Sequence, residues 1–407
     1  MDPLTQTHQA ATHPLAGQAM SGAQIIVQVL ADEGVTAIFG YSGGAILPTY
    51  DAVFTFNEAQ RRSSQREIPL IVPANEQGAG FMAAGYARAS GRVGVCLVTS
   101  GPGATNTVTP VRDCMADSVP IVVICGQVPA AAIGTDAFQE APVAALMGSV
   151  AKHVFLVTDP ARLEATVRTA FEIARTGRPG PVVIDIPKDI QNWAGTYLGT
   201  GTLPIPGFRR RSAELAANSV TAEQQAAFVE LLSESQRPLI YAGGGVINGE
   251  ASTALTAFAV SLNMPVVTTL MGIGSIDTAH TLSMRMLGMH GVAAANYAVE
   301  DCDFLIAVGA RFDDRVAGNP QKFARAARAI AHLDVDRSEI NKVKTVRWSH
   351  VGLLPEALGQ LQVAVQKAAR QRDYQAWHAH LIALKQRYGM NYQRTGELVQ
   401  PQYVIEE

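Results

Sequence analysis

The segment of residues 68–91, IPLIVPANEQGAGFMAAGYARASG, constrains the fold of this chain more than any other feature. Its first part is an apolar run typical of a buried strand, and small and apolar residues then recur at helical spacing until Gly91, where a helix would end. Glu76 lies at the junction, where a strand would deliver it to the edge of a sheet and a helix N-terminus would receive its charge. A strand that leads into a helix in this way predicts a parallel α/β domain.

Glu76 has two possible roles. As an isolated acid at a helix N-terminus it would stabilise the helix by up to about 1 kcal/mol. The residues after it are small, however, which predicts a helix face against which a flat ligand or another backbone can lie: Gly78, Ala79, Gly80, Ala83, Ala84 and Gly85. A carboxyl group in such an apolar pocket loses hydration, which favours its protonated form. We therefore expect Glu76 to be a hydrogen-bonding acid that faces a ligand.

Composition narrows the class of protein. The chain has 407 residues, of which 48% are hydrophobic, which is enough for two or three domains with real cores. The net charge of -3 arises from interspersed charges of both signs, so neither nucleic acid nor a membrane surface is expected as a partner. Residues 1–20 lack the basic and apolar regions of a targeting peptide, and no apolar run is long enough to span a bilayer. Four scattered cysteines are typical of reduced thiols, and we expect a cytoplasmic protein.

The first 190 residues alternate apolar runs with helical patterns. Six runs read as strands: VTAIFG, IPLIVP, VGVCLVTS, VPIVVICG, HVFLV and PVVIDIP. This alternation predicts a doubly wound parallel sheet, in which ligands bind at the carboxyl ends of the strands. Gly43 and Gly44 follow the first run, and they either admit a ligand close to the backbone or simply make the turn.

The second half repeats this α/β organisation. RPLIYAGGGVING is a strand followed by glycines and a helix, and MPVVTT, DFLIAVG and RAIAHLDVD supply further strands. Gly243 and Gly245 fit the first two glycines of GxGxxG, but Asn248 occupies the third, which makes an NAD-dependent dehydrogenase the weaker interpretation. We predict a disordered tail over residues 1–20, one domain over 21–190, a linker over 191–215, a second domain over 216–370, and a helix and linker over 371–407.

Several motifs together resemble a known family. NEQGAG, GYARASG and VTSGPGATN resemble the pyrimidine-binding domain of the thiamine-diphosphate enzymes. TTLMGIGSID, MLGMHGVAAANYAVEDCDFLIA, GARFDDRVAG and AHLDVDRSEINK resemble the central FAD-binding domain of the acetohydroxyacid synthases, also called acetolactate synthases. The resemblance implies a pyrimidine-binding domain at 21–190 and an FAD-binding domain at 216–370. The chain has no GDG segment, so 371–407 is expected to lead towards a diphosphate- and Mg²⁺-binding domain that the chain lacks.

The resemblance also implies catalytic roles. Glu76 corresponds to the residue that contacts the aminopyrimidine of the cofactor and activates it. Phe138 would contact substrate, Gln139 would orient the intermediate, and Lys188 would line the active-site channel. Ser42 and Asn75 depart from the family pattern, which often has Pro and His at these positions.

The cofactors implied are thiamine diphosphate, FAD and Mg²⁺. Glu76, Gly43 and Gly44 would contact the first of these, and no metal ligand is predicted in this chain. Arg178 in GRPGPV would contact FAD, together with residues of the second domain: Met286, Gly288, Met289, His290, Gly291, Arg311, Asp313, Asp334 and Asp336. Asp313 and its neighbour Asp314 are also expected to stabilise a tight turn.

The activity implied is the decarboxylation of pyruvate and its ligation to a second 2-oxoacid, pyruvate or 2-oxobutyrate, in the biosynthesis of branched-chain amino acids. FAD would be structural. The resemblance further implies a homodimer or homotetramer and a small regulatory subunit. Two alternatives stay open, namely another thiamine-diphosphate-dependent lyase or carboligase, and a catalytically silent flavin-binding or interaction fragment.

Overall fold

The computed structural model describes residues 13–368, 373–393, 396 and 398–407. The chain divides into two compact units, Met1–Arg209 and Arg210–Glu407. Residues 1–12 of the predicted tail, 369–370 of the predicted second domain and 371–372, 394–395 and 397 of the predicted final linker lie outside the described residues. Among the described helices, none is both long enough and apolar enough to cross a membrane.

The first unit is built around a parallel sheet. The strands of this unit are β1 Ala19–Ser21, β2 Ile38–Tyr41, β3 Leu70–Ile71, β4 Gly94–Val98, β5 Ile121–Gln127, β6 His153–Leu156, β7 Val182–Pro187 and β8 Ala194–Thr196. Six of them pair in the order β3-β2-β4-β5-β7-β6, and all of these pairs are parallel. The six predicted strand runs are therefore the six strands of this sheet.

Helices cover both faces of that sheet. They are α1 Gly22–Asp32, α2 Leu47–Arg62, α3 Glu76–Ser90, α4 Pro102–Thr105, α5 Val108–Asp117, α6 Val143–Gly148, α7 Leu163–Arg175, α8 Lys188–Asn192 and α9 Phe208–Ala217, the last of which crosses the boundary between the units. One apolar cluster packs α1, α2 and α7 against one face, and a second packs α3, α5 and α6 against the other. This two-sided burial explains why the strands are continuous apolar runs, and it confirms the doubly wound α/β prediction.

Local sequence signals set several helix ends, among them the predicted end at Gly91. Ser21 caps α1 through a capping box with Gln24, and Gly91 ends α3 in the left-handed region at φ 69°. A capping box from Thr221 to Gln224 likewise begins the first helix of the second unit.

Three predictions for the first unit are wrong. Ala19 and Met20, assigned to a disordered tail, belong to β1, which pairs antiparallel with β8. β8 in turn lies inside the predicted linker, as does part of α9. The IPLIV run is not a buried strand, because β3 has only two residues at the edge of the sheet, where Ile71 and Val72 are exposed.

The second unit contains another parallel sheet. Its strands are β9 Pro238–Ala242, β10 Val266–Thr268, β11 Ser283–Met286, β12 Phe304–Val308, β13 Ala329–Asp334 and β14 Trp348–Val351. Its helices are α10 Ala222–Glu234, α11 Gly244–Asn248, α12 Ser252–Ser261, α13 Ala293–Asp301, α14 Asp314–Ala317, α15 Leu354–Lys367, α16 Gln375–Arg387 and α17 Pro401–Glu406. The strand order β11-β10-β9-β12-β13-β14 is the 3-2-1-4-5-6 order of dinucleotide-binding folds.

The sequence did not predict β11 and β14. Both are four-residue strands at the two edges of the sheet, and neither is a continuous apolar run. α16 is a helix within the segment 371–407, for which a helix and a linker were predicted, and it packs Trp377 and Leu381 into the core of this unit.

Candidate functional site

The predicted catalytic residues of the first unit gather at the carboxyl ends of its strands. The chain leaves β2 in one direction to form β3 and later returns on the other side to form β4, so the strand order reverses between β2 and β4. The loop with Gly43 and Gly44 follows β2, the loop with Gly101 and Gly103 follows β4, and Glu76 follows β3. Such a switch point is where open α/β sheets bind ligands.

Glu76 is held at the start of α3. Asn75 caps this helix through a 2.7 Å hydrogen bond that its side chain accepts from the Gly78 amide, so Glu76 is the first helical residue. The residue is 8% exposed, and one of its carboxylate oxygens accepts a 2.9 Å hydrogen bond from Nδ2 of Asn106. The helix N-terminus and this amide stabilise the carboxylate, which is fixed at the edge of the sheet.

Asn106 is a site residue that the sequence analysis did not single out. It ends α4, the short helix that follows the Gly101 loop, and it thereby ties Glu76 to the chain after β4. The available signal was its place in the GPGATN segment, which carries the family resemblance.

Gly43 and Gly44, left open by the sequence, have different surroundings. A Cβ on Gly43 would lie 2.5 Å from Cγ2 of Thr99, and the Ala45 amide donates a 3.2 Å hydrogen bond to Oγ1 of Thr99. A Cβ on Gly44 would meet no atom within 4 Å. Gly43 is therefore required by internal packing, whereas Gly44 leaves open space beside the switch point.

We expect Gly43→Ala to lower the free energy of unfolding by about 1–3 kcal/mol, because its Cβ overpacks the contact with Thr99. Gly44→Ala is the matched control and should change the same quantity by less than about 0.5 kcal/mol. Urea unfolding of both variants measures the difference, and equal destabilisation would contradict this account of the loop.

Gly103 lies between Thr99 and Glu76. A Cβ on Gly103 would lie 2.7 Å from Cγ2 of Thr99 and 3.8 Å from Oε1 of Glu76. The second carboxylate oxygen of Glu76, Oε1, therefore lies beside Gly103 in the loop that follows β4.

The segment with Phe138 and Gln139 lies against the Gly101 loop. Gly101 has φ 56°, and a Cβ there would lie 2.6 Å from the carbonyl oxygen of Gln139, so this close backbone approach requires glycine. Glu140 shapes the segment, because its carboxylate accepts hydrogen bonds from the amides of Gly134 (2.5 Å) and Ala137 (3.2 Å). These backbone hydrogen bonds, that of Gly134 foremost, lower the pKa of Glu140. Phe138 is left 88% exposed at the carboxyl edge of the sheet.

Lys188 and Arg178 flank the same strand at opposite ends. Lys188 begins α8 directly after β7, so it lies at the carboxyl edge of the sheet, two strands from β4. Arg178 precedes β7 and therefore lies at the amino edge, where its Nε donates a 2.9 Å hydrogen bond to Oγ of Ser118 and its Nη2 a 3.5 Å bond to the Ala116 carbonyl. The fold thus separates Arg178 from Glu76 within the first unit, and its contact with FAD stays a prediction.

Glycines also form the switch point of the second unit, between β9 and β12. A Cβ on Gly243 would lie 2.2 Å from the carbonyl oxygen of Gly309, and a Cβ on Gly245 would lie 2.6 Å from the Cα of Gly309. The Gly245 amide donates a 2.9 Å hydrogen bond to the Gly309 carbonyl. This close packing brings the start of α11 to the carboxyl ends of β9 and β12, where dinucleotides bind in this strand order.

The predicted flavin residues 286–291 follow β11 at that same edge. Gly288 has φ 98°, and a Cβ there would lie 2.7 Å from the Arg315 carbonyl oxygen. A Cβ on Gly291 would lie 2.4 Å from the carbonyl oxygen of Met286. Packing of the protein's own backbone therefore accounts for both glycines, while Met289 and His290 are exposed beside them.

The remaining predicted flavin residues follow β12 and β13. Asp313 caps α14 by accepting a 3.0 Å hydrogen bond from the Arg315 amide, which confirms its predicted role in a turn. Asp334 accepts a 2.8 Å bond from the Asp336 amide. Arg311 lies in the loop just before Asp313. One edge of the second sheet thus collects all the predicted flavin residues except Arg178, and their contacts with FAD stay predictions.

Comparisons with known proteins agree with this architecture. The family described as the N-terminal TPP binding domain of thiamine pyrophosphate enzymes matches residues 20–147, and the family described as their central domain matches residues 225–361. Together these ranges cover more than half of the chain, which therefore belongs to the thiamine pyrophosphate enzymes.

Within this class the chain is similar to acetolactate synthase large subunits. It is 42% identical over 393 residues to the acetolactate synthase large subunit of Corynebacterium glutamicum, covering 96% of this chain and 60% of that protein. It is 42% identical over 380 residues to the isozyme 2 large subunit of Escherichia coli, covering 93% and 64%, and 41% identical over 390 residues to the chloroplastic acetolactate synthase of Arabidopsis thaliana, covering 95% and 56%. The predicted resemblance is confirmed, and the chain spans about three fifths of the length of these relatives.

Proposed function

We propose that this chain forms the pyrimidine-binding and central domains of an acetolactate synthase large subunit. The observation that carries the proposal is the position of Glu76, a buried carboxylate fixed by a helix N-terminus and by Asn106 at the switch point of a doubly wound sheet. Sequence similarity to acetolactate synthase large subunits over nearly the whole chain supports the same assignment.

The residues at this edge fit an aminopyrimidine ring. Gly44 leaves open space beside the backbone, and Glu76 presents a carboxylate oxygen towards Gly103. Thiamine diphosphate, when bound, would supply a carbon nucleophile that attacks the 2-oxo group of pyruvate. Glu76 would hydrogen-bond a ring nitrogen through its free oxygen and exchange a proton with it, while Asn106 keeps its other oxygen in place.

Other residues of this edge would bind and orient the substrate. Phe138 would cover the 2-oxoacid, and Gln139, fixed by its backbone contact with Gly101, would orient the reacting group. Lys188 would line the approach from β7. The substrates of this proposal are pyruvate and, as second acceptor, pyruvate or 2-oxobutyrate.

The second unit would hold FAD at the edge formed by β9, β12 and β13. Its strand order and close glycine packing support a dinucleotide, and Arg311, Asp313, Asp334 and Asp336 supply polar groups there. In this proposal FAD has a structural role. Within the described residues, no group of three or more His, Cys, Asp and Glu side chains could hold a metal ion. Mg²⁺ and the diphosphate belong, in this proposal, to the part of the relatives that the chain does not span.

The cofactors provide the first test. Isothermal titration of the chain with FAD and with thiamine should show binding of both, and Glu76→Gln should weaken thiamine while leaving FAD unchanged. FAD binding without thiamine binding would favour the alternative of a silent flavin-binding fragment, and binding of neither would overturn the proposal.

Turnover provides the second test. The chain would be assayed with pyruvate, thiamine diphosphate, Mg²⁺ and FAD, with and without the part of the Corynebacterium glutamicum relative that the match does not cover. Acetolactate formed from pyruvate supports the proposal. A different carboligation product with the same cofactors would instead assign another thiamine-diphosphate enzyme.

The proposal includes a homodimer or homotetramer, with α3 at an interface. This helix exposes 40% of Phe81 and 42% of Met82, and a Cβ on Gly85 would meet no atom within 4 Å. Exposed apolar residues beside an open glycine are typical of a surface that another backbone approaches. A small regulatory subunit and a cytoplasmic location are further parts of the proposal, and the four free, buried thiols are consistent with a reducing compartment.

We expect Gly85→Ala to stabilise the isolated chain by about 0.5–1 kcal/mol, because alanine restricts the unfolded chain and favours helix. If a second copy packs on α3, the same variant should raise the dimer dissociation constant by tenfold or more. Analytical ultracentrifugation and urea unfolding measure the two effects, and stabilisation with unchanged association would contradict an interface at Gly85.

A further inference from the structure

Strand β7 carries a buried carboxyl group that no role above requires. Asp185 is 2% exposed, and its Oδ2 accepts a 3.0 Å hydrogen bond from Nε2 of Gln127 on β5. Its Oδ1 is also buried and has no hydrogen-bond partner within the part of the chain that the structure describes. A buried polar atom without a partner costs free energy, so its retention calls for an explanation.

Gln127 joins this carboxyl group to the segment that contains Phe138. Its Nε2 donates a second hydrogen bond, of 3.0 Å, to the carbonyl of Ala141, and its Oε1 accepts a 2.9 Å bond from the Val128 amide. Both amide hydrogens are therefore used and the amide orientation is fixed. Ala141 directly follows Glu140, so the hydrogen-bonded chain from Asp185 ends at segment 134–141.

We propose that Asp185 is a positioning residue, which acts through Gln127 and Ala141 to hold segment 134–141, with Phe138 and Gln139, against the Gly101 loop. The inference rests on the proposed function only in assigning Phe138 and Gln139 to the substrate site. The hydrogen-bonded chain itself can be tested without turnover.

The protonation state of Asp185 makes this contact dependent on pH. Burial raises the pKa of Asp185 to about 7, although the hydrogen bond from Gln127 opposes the shift. Below this pH the carboxyl group is neutral, and Nε2 of Gln127 can donate hydrogen bonds to both Asp185 and Ala141. Above this pH the carboxylate is charged, and it draws the Gln127 amide or a water molecule towards its unpaired Oδ1. This weakens the hydrogen bond from Gln127 to the Ala141 carbonyl.

The neighbouring strands place no group that titrates near neutral pH on the face of the sheet that carries Asp185. Cys125 of β5 is the register partner of Asp185, and burial, followed by the charge of Asp185, raises the pKa of this thiol well above its usual value. On β6 the register partner is Leu156. His153 on the same strand pairs with Val182, so it faces the opposite side of the sheet from Asp185.

The other elements near Asp185 carry few charges. Helix α6 has no ionisable side chain. Segment 134–141 contains Asp136 and Glu140, and the Glu140 carboxylate is already bound to two backbone amides. After β7 come Lys188 and Asp189, whose Oδ1 accepts a 3.0 Å hydrogen bond from the Ala130 amide.

Hydrogen exchange of the full chain tests the proposal. Peptides covering 134–141 would be followed by mass spectrometry at pH 6 and pH 8, after correction for the intrinsic rate. Wild-type protection should fall by about tenfold between these values, since the buried group passes from mostly neutral to mostly charged. Asp185→Asn keeps the shape and cannot ionise, so its protection should be the same at both pH values. A peptide from α5 serves as the internal control.

Gln127→Ala gives a second test should Asp185→Asn not fold. It keeps the carboxyl group but removes the link, so exchange of 134–141 should be fast at both pH values. Wild-type protection that does not change with pH, or a change that persists in Asp185→Asn, would overturn the proposal. If the exchange results hold while the chain binds no thiamine, the positioning role stands and the proposed function fails.

Discussion

Under the proposed function, replacing Glu76 with Gln should lower acetolactate formation at least a hundredfold when the chain is assayed together with the part of its relatives that it does not span. This is the lower end of the ~10²–10⁴ range for loss of a positioned proton-transfer group. Gln fills nearly the same volume, and its carbonyl oxygen can still accept the hydrogen bond from Asn106. It cannot exchange a proton with a ring nitrogen, however, so the fold should persist while the activation of the cofactor is lost. Initial rates at saturating pyruvate and cofactor measure the effect.

Asn106→Ala is the matched control for this prediction. It removes only the 2.9 Å hydrogen bond to the carboxylate, leaving the acid in place, and should reduce the rate much less than Glu76→Gln. Urea unfolding of Glu76→Gln should show a loss of no more than about 1 kcal/mol, the interaction of the charge with the N-terminus of α3 that the substitution removes. Full activity of Glu76→Gln would remove this residue from the catalytic assignment.

The largest effect on stability is expected for Gly309→Ala. Gly309 has φ 56°, and a Cβ there would lie 2.7 Å from the Cα of Gly245 and 2.8 Å from its carbonyl carbon. Both contacts are with backbone at the start of α11, which cannot move without disturbing the sheet. The left-handed conformation costs an L-residue about 1–2 kcal/mol and overpacking about 1–3 kcal/mol, so we expect a loss of about 2–5 kcal/mol.

Tryptophan fluorescence during urea unfolding can measure this loss, since Trp348 and Trp377 are both buried in the second unit. Gly359→Ala is the control: Gly359 lies within α15, and a Cβ there would meet no atom within 4 Å. This change should stabilise the chain by about 0.5–1 kcal/mol because alanine favours helix. A similar shift in both variants would show that the contact between Gly245 and Gly309 is not tightly packed.

The sequence predicted those parts of the fold that rest on long apolar runs and on a local helix stop. A strand buried on both faces is mostly a continuous apolar segment, as in β4, and Gly91 ends α3 through its own backbone conformation. Four other short strands carry neither signal. β1, β8, β11 and β14 form because a neighbouring segment supplies hydrogen bonds, which no local pattern records.

The candidate site was predicted unevenly for a similar reason. Glu76 stood out because a strand, an acid and a helix adjoin in sequence. The roles of Gly43 and Gly44 could not be separated, since only the distance to Thr99 distinguishes them. Asp185 and Gln127 are 58 residues apart in the chain, and their contact exists only once β5 and β7 pair.

The pairing of β1 with β8 places the two ends of the first unit's α/β core side by side, because β1 enters it just before α1 and β8 leaves it just after α8. A module whose ingoing and outgoing strands adjoin can be excised, duplicated or inserted into a surface turn of another protein without stretching either junction. This arrangement makes the core transferable as one piece, and recombination could join it to different partner domains while leaving the carboxyl edge of its sheet undisturbed.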